Sequence, residues 1–290
     1  MQFKYSEAEE TKPNRLTKRI VLSQIAKLFD PLGLVSPVTI RAKMQLQDLW
    51  KLQLDWDESL PMHLHTQWNK FVNCLKDLNQ LRITRQVTLP QKLEVYELHA
   101  FSDASEHAYG AAIYLRHTET GTQNTIVNLL CSKSRVAPLK TVSLPRLELC
   151  GALLMAELTE QVINALQLAE IKVTYWTDSN IVLAWIASEP ANWTTFVANR
   201  VSKIQDLTGT STWRHINTEE NPADLISRGT VTSKLTESKL WWHGPSWMSQ
   251  SKDEWPQQES NIGFTNDLPD RKQVKVSTFI STQEVLNNDI

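Results

Sequence analysis

The sequence predicts an α/β fold, a five-stranded mixed sheet flanked by helices and preceded by a mainly helical segment. Three observations carry this reading. Apolar residues recur at helical spacing up to about residue 92, and from Leu93 the period shortens to that of strands. Three strand-like runs in succession are then followed by helix, strand, two helices, strand and helix. A meander followed by such alternation describes a mixed sheet covered by helices.

Within residues 1–92 the run TKRIVLSQIAKLFD sets Ile20, Ile25, Leu28 and Phe29 near one helical face. Pro31, Gly33 and Pro37 of DPLGLVSP punctuate its end. Helices are expected next over VTIRAKMQLQDLWKLQLDW and MHLHTQWNKFVNCLKDLNQL. LEVYELHAFSDAS, AYGAAIYLRH and NTIVNLLCSKSRV then read as antiparallel strands. LPRLELCGALLMAELTEQVINALQ reads as a long helix, with Pro145 in its first turn and an apolar stripe through Leu149, Leu153, Ala156 and Val162. IKVTYW is a buried strand, SNIVLAWIAS and TTFVANRVSKIQDL are helices, STWRHI is a short strand, and a last helix opens at NPADLIS. Residues 93–232 form the α/β unit on this reading. Residues 233–290 form a Trp-rich extension, LWWHGPSWM, and from about Pro256 a stretch without periodicity that is expected to be a flexible tail.

Composition narrows the function classes. Of 290 residues, 41% are hydrophobic and 21% charged, which suits a packed core and excludes wholesale disorder. No run approaches the ~20 apolar residues of a membrane helix, and the amino end lacks a signal-like pattern. An intracellular protein without a membrane partner is expected, in a cytoplasmic particle or the nucleus. Cys74, Cys131 and Cys150 are scattered and without CxxC spacing, which argues against a disulfide framework or a cysteine zinc site. The net charge of −2 hides an asymmetry: residues 1–92 hold 14 Lys and Arg against 9 Asp and Glu, and residues 93–230 hold 10 against 15. A basic segment beside an acidic one suits nucleic acid lying across the first while metal ions neutralise carboxylates in the second.

The carboxylates sit at element ends. Asp103 ends the first strand, Glu148 lies in the first turns of the long helix, Asp178 ends the fourth strand and Asp224 opens the last helix. The first and fourth strands can lie side by side and parallel because a helix connects the meander to the fourth strand, which would bring Asp103 and Asp178 together. Several carboxylates in one dry place repel one another and need divalent cations. Oxygen ligands of this kind favour Mg²⁺, or Mn²⁺, over zinc, and two such ions about 4 Å apart suit phosphodiester hydrolysis.

At these residues the chain resembles a known family. FSDAS, RLELCGALL, YWTDSNIVLAW and HINTEENPADLISRG are similar to the four motif blocks of a type 1 ribonuclease H domain, in the form found in polyproteins of Pao/BEL-type LTR retrotransposons. The flanking TKRIVLSQIAKLFDPLGLVSPVTIRAKMQLQDLW and KLWWHGPSWM also resemble that family, so the likeness covers about residues 15 to 256. The resemblance implies a ribonuclease H-like fold and an endonuclease that cuts the RNA strand of RNA–DNA hybrids during reverse transcription, leaving a 3′-hydroxyl and a 5′-phosphate. It implies Asp103, Glu148, Asp178 and Asp224 as catalytic ligands of two Mg²⁺ ions. It also implies that residues 1–92 correspond to the carboxyl end, or connection, of a reverse transcriptase, whose polymerase portion and integrase would be partners from the same polyprotein. The polymerase Tyr-x-Asp-Asp signature is absent from the sequence, so DNA synthesis by this chain alone is not expected.

Around the acids, Ser102, Ser179 and Asn180 are candidates for bonding phosphate or sugar oxygens, or equally for capping the next helix. Arg146, Arg200 and Arg228 are candidates for backbone phosphates, against the commoner case of exposed arginines with no particular partner. His215 stands in a strand-like run, where a structural role is favoured over the product-release role of a loop His in related enzymes. Trp176 and Trp185 lie in apolar runs and read as core. Three rival functions stand against this one. An integrase would place its Glu after the fifth strand. An aspartic peptidase would need an Asp-Thr-Gly or Asp-Ser-Gly turn, and the chain has only SDAS and TDSN. A catalytically inactive nucleic-acid-binding remnant is the remaining alternative, set against the presence of all four acids.

Overall fold

The computed structural model describes residues 15–83, 94–119, 125–167, 171–256 and 268–272. Helices α1 (Lys18–Ala26), α2 (Ser36–Lys51) and α3 (Met62–Cys74) form the leading segment, and a 3-10 turn continues α3 over Leu75–Gln80. The meander follows as β1 (Glu94–Ala104), β2 (Ala108–Glu119) and β3 (Thr125–Val136). Then come α4 (Leu144–Leu166), β4 (Lys172–Thr177), α5 (Asn180–Ile186), α6 (Thr195–Thr208) and β5 (Thr212–His215). The short helices α7 (Asp224–Arg228), α8 (Thr232–Glu237) and α9 (Lys239–His243) end the order. The sheet order is β3-β2-β1-β4-β5, antiparallel from β3 to β1 and parallel from β1 to β5. This is the five-stranded mixed sheet expected from the sequence.

Period-two alternation divides β1 between two layers. Leu98 and Ala100 pack with Ile113, Met155, Val173 and Tyr175 under α4, and beyond α4 a second layer of Leu149, Ala156, Trp185, Val197 and Ile204 joins it to α5 and α6. Phe101 points the other way, into a core with Tyr114 and Trp176 that takes in the leading helices and the tryptophans Trp241, Trp247 and Trp255. The leading segment and the Trp-rich extension therefore share one core with the sheet.

Specific polar contacts fix both attachments. In the loop before α2, the Asp30 carboxylate accepts from the Leu34 and Val35 amides at 2.8 Å each. Gly33, at φ +70°, lies so close to β3 that a Cβ would collide with the Ser132 carbonyl, so this turn needs glycine. The Trp241 indole donates to the Leu34 carbonyl at 2.8 Å, and the Tyr114 hydroxyl donates to the Trp241 carbonyl at 2.7 Å. The buried Arg116 guanidinium pairs with Glu97 at 2.9 Å and donates to the Met248 and Gln250 carbonyls. A buried cation needs this complete set of acceptors, and here it pins an irregular segment that has no ladder of its own.

Several expectations need correction. Around α1, Ile20, Ile25 and Leu28 pack against the core beside the more deeply buried Val21, whereas Phe29 is 78% exposed, because α1 stops at Ala26 and the chain turns before Phe29 can continue the helical face. Helix α2 ends at Lys51, short of Trp56, where Gln53 takes a positive φ. One helix, α4, is long and apolar enough by length and composition to cross a membrane, contrary to the reading that no run approaches this. Its apolar character is accounted for by packing on β1 and β2 on one side and α6 on the other. Of the stretch expected to be flexible, residues 257–267 and 273–290 lie outside the described residues, whereas 268–272 rest on α5 and α6.

Candidate active site

Strands β1 and β4 run parallel in a register that ends with Ser102 opposite Thr177. The next residues are Asp103, still paired with Gly110 of β2, and Asp178, the first residue past β4, so the two acids follow neighbouring positions of the parallel pair. Helix α4 approaches from above: Gly151 lies so near β1 that a Cβ would come within 3.2 Å of the Asp103 carbonyl oxygen, and one turn earlier this helix carries Glu148. Ser179 caps α5 by accepting from the Val182 amide at 3.2 Å, and its hydroxyl donates to Glu148 at 2.5 Å. The fourth acid arrives on α7. Asn221 donates to the Ser102 carbonyl at 3.0 Å and accepts from the Ala223 amide, which ties the start of α7 to the end of β1.

Electrostatics links the four. Burial pushes the Asp103 carboxyl up to about 7, and the charges of Asp178 and Asp224 push in the same direction, opposed by a hydrogen bond from Ser227. Burial also raises Glu148, and the charge of Asp178 adds to it against the bond from Ser179. The charge of Asp178 thus bears on both Asp103 and Glu148. Each acid has a neighbour: Thr218 donates to Asp178 at 2.8 Å, Ser227 to Asp103, and Arg228 forms an ion pair with Asp224. Among the described residues no three His, Cys, Asp or Glu side chains form a ready metal site in these rotamers. The donor set nevertheless fits hard divalent cations. The second oxygen of Asp178, Oδ1, is buried with no hydrogen-bond partner, and the neighbouring carboxyls of Asp103 and Glu148 are both held toward the protonated form by burial and by the charge of Asp178. A cation relieves both conditions at once.

The remaining candidates divide. Ser179 is a cap and a donor to Glu148, so its two readings coexist. The Ser102 hydroxyl is buried without a partner, and Asn180 is exposed at the start of α5. His215 ends β5 and donates through Nε2 to the Asp178 carbonyl at 3.1 Å, holding the backbone of a candidate ligand. Arg228 faces Asp224, and Arg146 is engaged by Asp270. Trp176 and Trp185 are fully buried, as expected of core residues. Sequence reasoning missed Ser227, Thr218 and Asn221. For Ser227 a signal existed, since it lies three residues after Asp224 and so on the same helical face; Thr218, which opens a short 3-10 turn over Thr218–Glu220, gave none.

The profile of the Pao retrotransposon-like RNaseH-like domain matches residues 17–179, more than half of the chain and including Asp103, Glu148 and Asp178. Among solved structures, LC11-RNase H1, isolated from compost and solved in complex with an RNA/DNA hybrid, is similar at 16% identity and a TM-score of 0.31, covering 45% of this chain and 92% of that one. RNase H1 from the archaeon Halobacterium salinarum gives 13%, 0.29, 45% and 92%. A foamy viral protease-reverse transcriptase in complex with an RNA/DNA hybrid gives 12% and 0.25, covering 66% of this chain and 28% of that one. Comparison with curated protein sequences found no match.

Proposed function

The chain belongs to the Pao retrotransposon-like RNaseH-like domain family, and from that premise we propose that it is a metal-dependent endonuclease that hydrolyses the RNA strand of RNA–DNA hybrids during retrotransposon reverse transcription. The observation that carries this reading is the parallel register of β1 and β4, which delivers Asp103 and Asp178 to one place while α4 and α7 add Glu148 and Asp224. These four would hold two Mg²⁺ ions, with Mn²⁺ as a substitute. When bound, such ions supply Lewis acidity and neutralise charge at a phosphodiester.

The chain's own groups do the positioning. Ser227, Thr218 and Ser179 orient Asp103, Asp178 and Glu148 through their hydroxyls, so that three ligand oxygens are held in place before substrate arrives. His215 fixes the Asp178 backbone. Asn180, exposed beside Ser179, is available to sugar or phosphate oxygens of the hybrid, as is Arg228 once Asp224 turns toward a cation. The polymerase portion and integrase of the same polyprotein are the proposed partners.

The test is a cleavage assay with purified protein, Mg²⁺ and a labelled RNA–DNA hybrid, with double-stranded DNA, double-stranded RNA and casein as controls. RNA-strand cleavage of the hybrid alone is expected, abolished by EDTA and reduced by Asp178→Asn. Unchanged activity in that variant would remove Asp178 from the mechanism. Hybrid binding without cleavage would instead support the inactive, nucleic-acid-binding remnant.

A further inference from the structure

Residues 268–272 form a short strap across the outer ends of α5 and α6. The Trp185 indole donates to the Pro269 carbonyl at 3.1 Å, the Thr194 amide to the Asp270 carbonyl at 2.8 Å, and the Lys272 amide to the Asn192 carbonyl at 2.9 Å. Trp193 and Arg271 form an antiparallel bridge, and Leu268 packs on the core beneath. The centre of the strap is Asp270, in the left-handed region at φ +64°, a conformation in which Asp is among the better-tolerated side chains.

The Asp270 carboxylate is seated, not free. Both its oxygens are taken by the fork of Arg146, one of them at 3.0 Å, and the Thr194 hydroxyl donates to it at 2.7 Å. Its side chain is 9% exposed, while that of Arg146 is 36% exposed. Arg146 and Arg200 also both lie over the ring of Phe196, at 5.0 and 3.6 Å from its centroid, so two guanidinium groups meet at this place. The Arg fork fits a phosphate as well as a carboxylate. Arg146 lies two residues before Glu148 in the first turn of α4, so the seat and the candidate ligand belong to the same end of one helix, on different faces of it.

We propose that Arg146 and Thr194 form a seat for a backbone phosphate of the hybrid, and that Asp270 fills this seat as an internal competitor that must leave for the nucleic acid to bind fully. The strap is thus an autoinhibitory contact. This rests on the hybrid-binding reading given above.

The test measures binding of a labelled RNA–DNA hybrid by fluorescence anisotropy, with full-length protein in an Asp178→Asn background with Mg²⁺, over a series of salt concentrations. Asp270→Ala and the near-isosteric Asp270→Asn are expected to tighten binding on the order of fivefold, the scale of one charge-assisted contact. They should also steepen the dependence of log affinity on log salt by about 0.7–0.9, as one more phosphate is neutralised. With Arg146→Ala in place, the Asp270 substitutions should have no further effect. Asp270→Asn keeps the shape of the strap, so a variant that merely loosens the fold is recognised by its thermal midpoint. Binding that is equal or weaker in both Asp270 variants overturns the strap and leaves the hybrid reading intact. No binding by any protein overturns both.

Discussion

Ser227 donates a hydrogen bond to the buried carboxylate of Asp103, a residue 124 positions earlier in the chain. The same serine offers its backbone carbonyl to the Ser105 hydroxyl at 2.7 Å. A single residue of α7 therefore holds both the candidate ligand and the turn that follows it. Ser227→Ala removes a bond that holds the Asp103 pKa down, so that pKa should rise further. Because the lost bond also orients a candidate metal ligand, activity at neutral pH is expected to fall on the order of tenfold, while Ser227→Thr restores most of it.

Asp103 also sets a pH dependence of stability in metal-free protein. Its carboxyl is raised to about 7, first by burial and then by Asp178 and Asp224, against about 3.9 in an unfolded chain. Between these values the folded state holds a proton that the unfolded state has released, so stability falls as pH rises from about 4 to about 7 and levels off above. Glu148 is raised as well and adds with the same sign. Thermal midpoints measured in EDTA should therefore decline through this window, and Asp103→Asn should flatten the decline.

Added Mg²⁺ or Mn²⁺ should reverse that loss. A ligand that binds only the folded state raises its stability by mass action, about 2.7 kcal/mol at a hundredfold excess over Kd. At pH 8 the midpoint should climb with metal concentration, return to baseline on EDTA addition, and respond weakly in Asp103→Asn and Asp178→Asn. A midpoint indifferent to both metals would contradict the ligand assignment.

Gly110 lies on β2 where α7 crosses it. A Cβ there would run into Ile226 and stand 2.9 Å from the Lys133 carbonyl oxygen. Gly110→Ala should cost about 1–3 kcal/mol of stability by overpacking. It should also lower cleavage, because the displaced helix carries Asp224. Comparing denaturation midpoint with activity at saturating metal separates the two effects.

Trp241 is wholly buried and hydrogen-bonded to Leu34. Trp241→Ala should destabilise by about 3–5 kcal/mol, which guanidinium unfolding would record as a lower midpoint. If the extension were dispensable, the midpoint would not move.

Much of the site was legible in the sequence because its members sit at element ends, where a change of period marks the position. Asp103 and Asp178 close strands, and Glu148 and Asp224 open helices, so locating the elements located the acids. Their order on strand, helix, strand and helix then restricted the possible folds. What could not be read was contact between segments that have no period. Nothing in SWMSQSKDEW signals that its carbonyls satisfy Arg116, or that Lys252 reaches Glu97 at 2.5 Å. Phe29 misled for the opposite reason, since a correct spacing continued past the point where the helix stops. Asp270 lies in a polar stretch with no local pattern, and only its partner Arg146 gives it meaning.

The layer formed by Phe101, Tyr114 and Trp176 has a practical corollary for anyone trimming this chain. A fragment limited to 94–232 would retain every acid yet present an oily, aromatic plate to water where the leading helices and the tryptophan segment had rested. Such a piece should clump when expressed by itself, whereas cuts outside 15–272 should leave a manageable molecule.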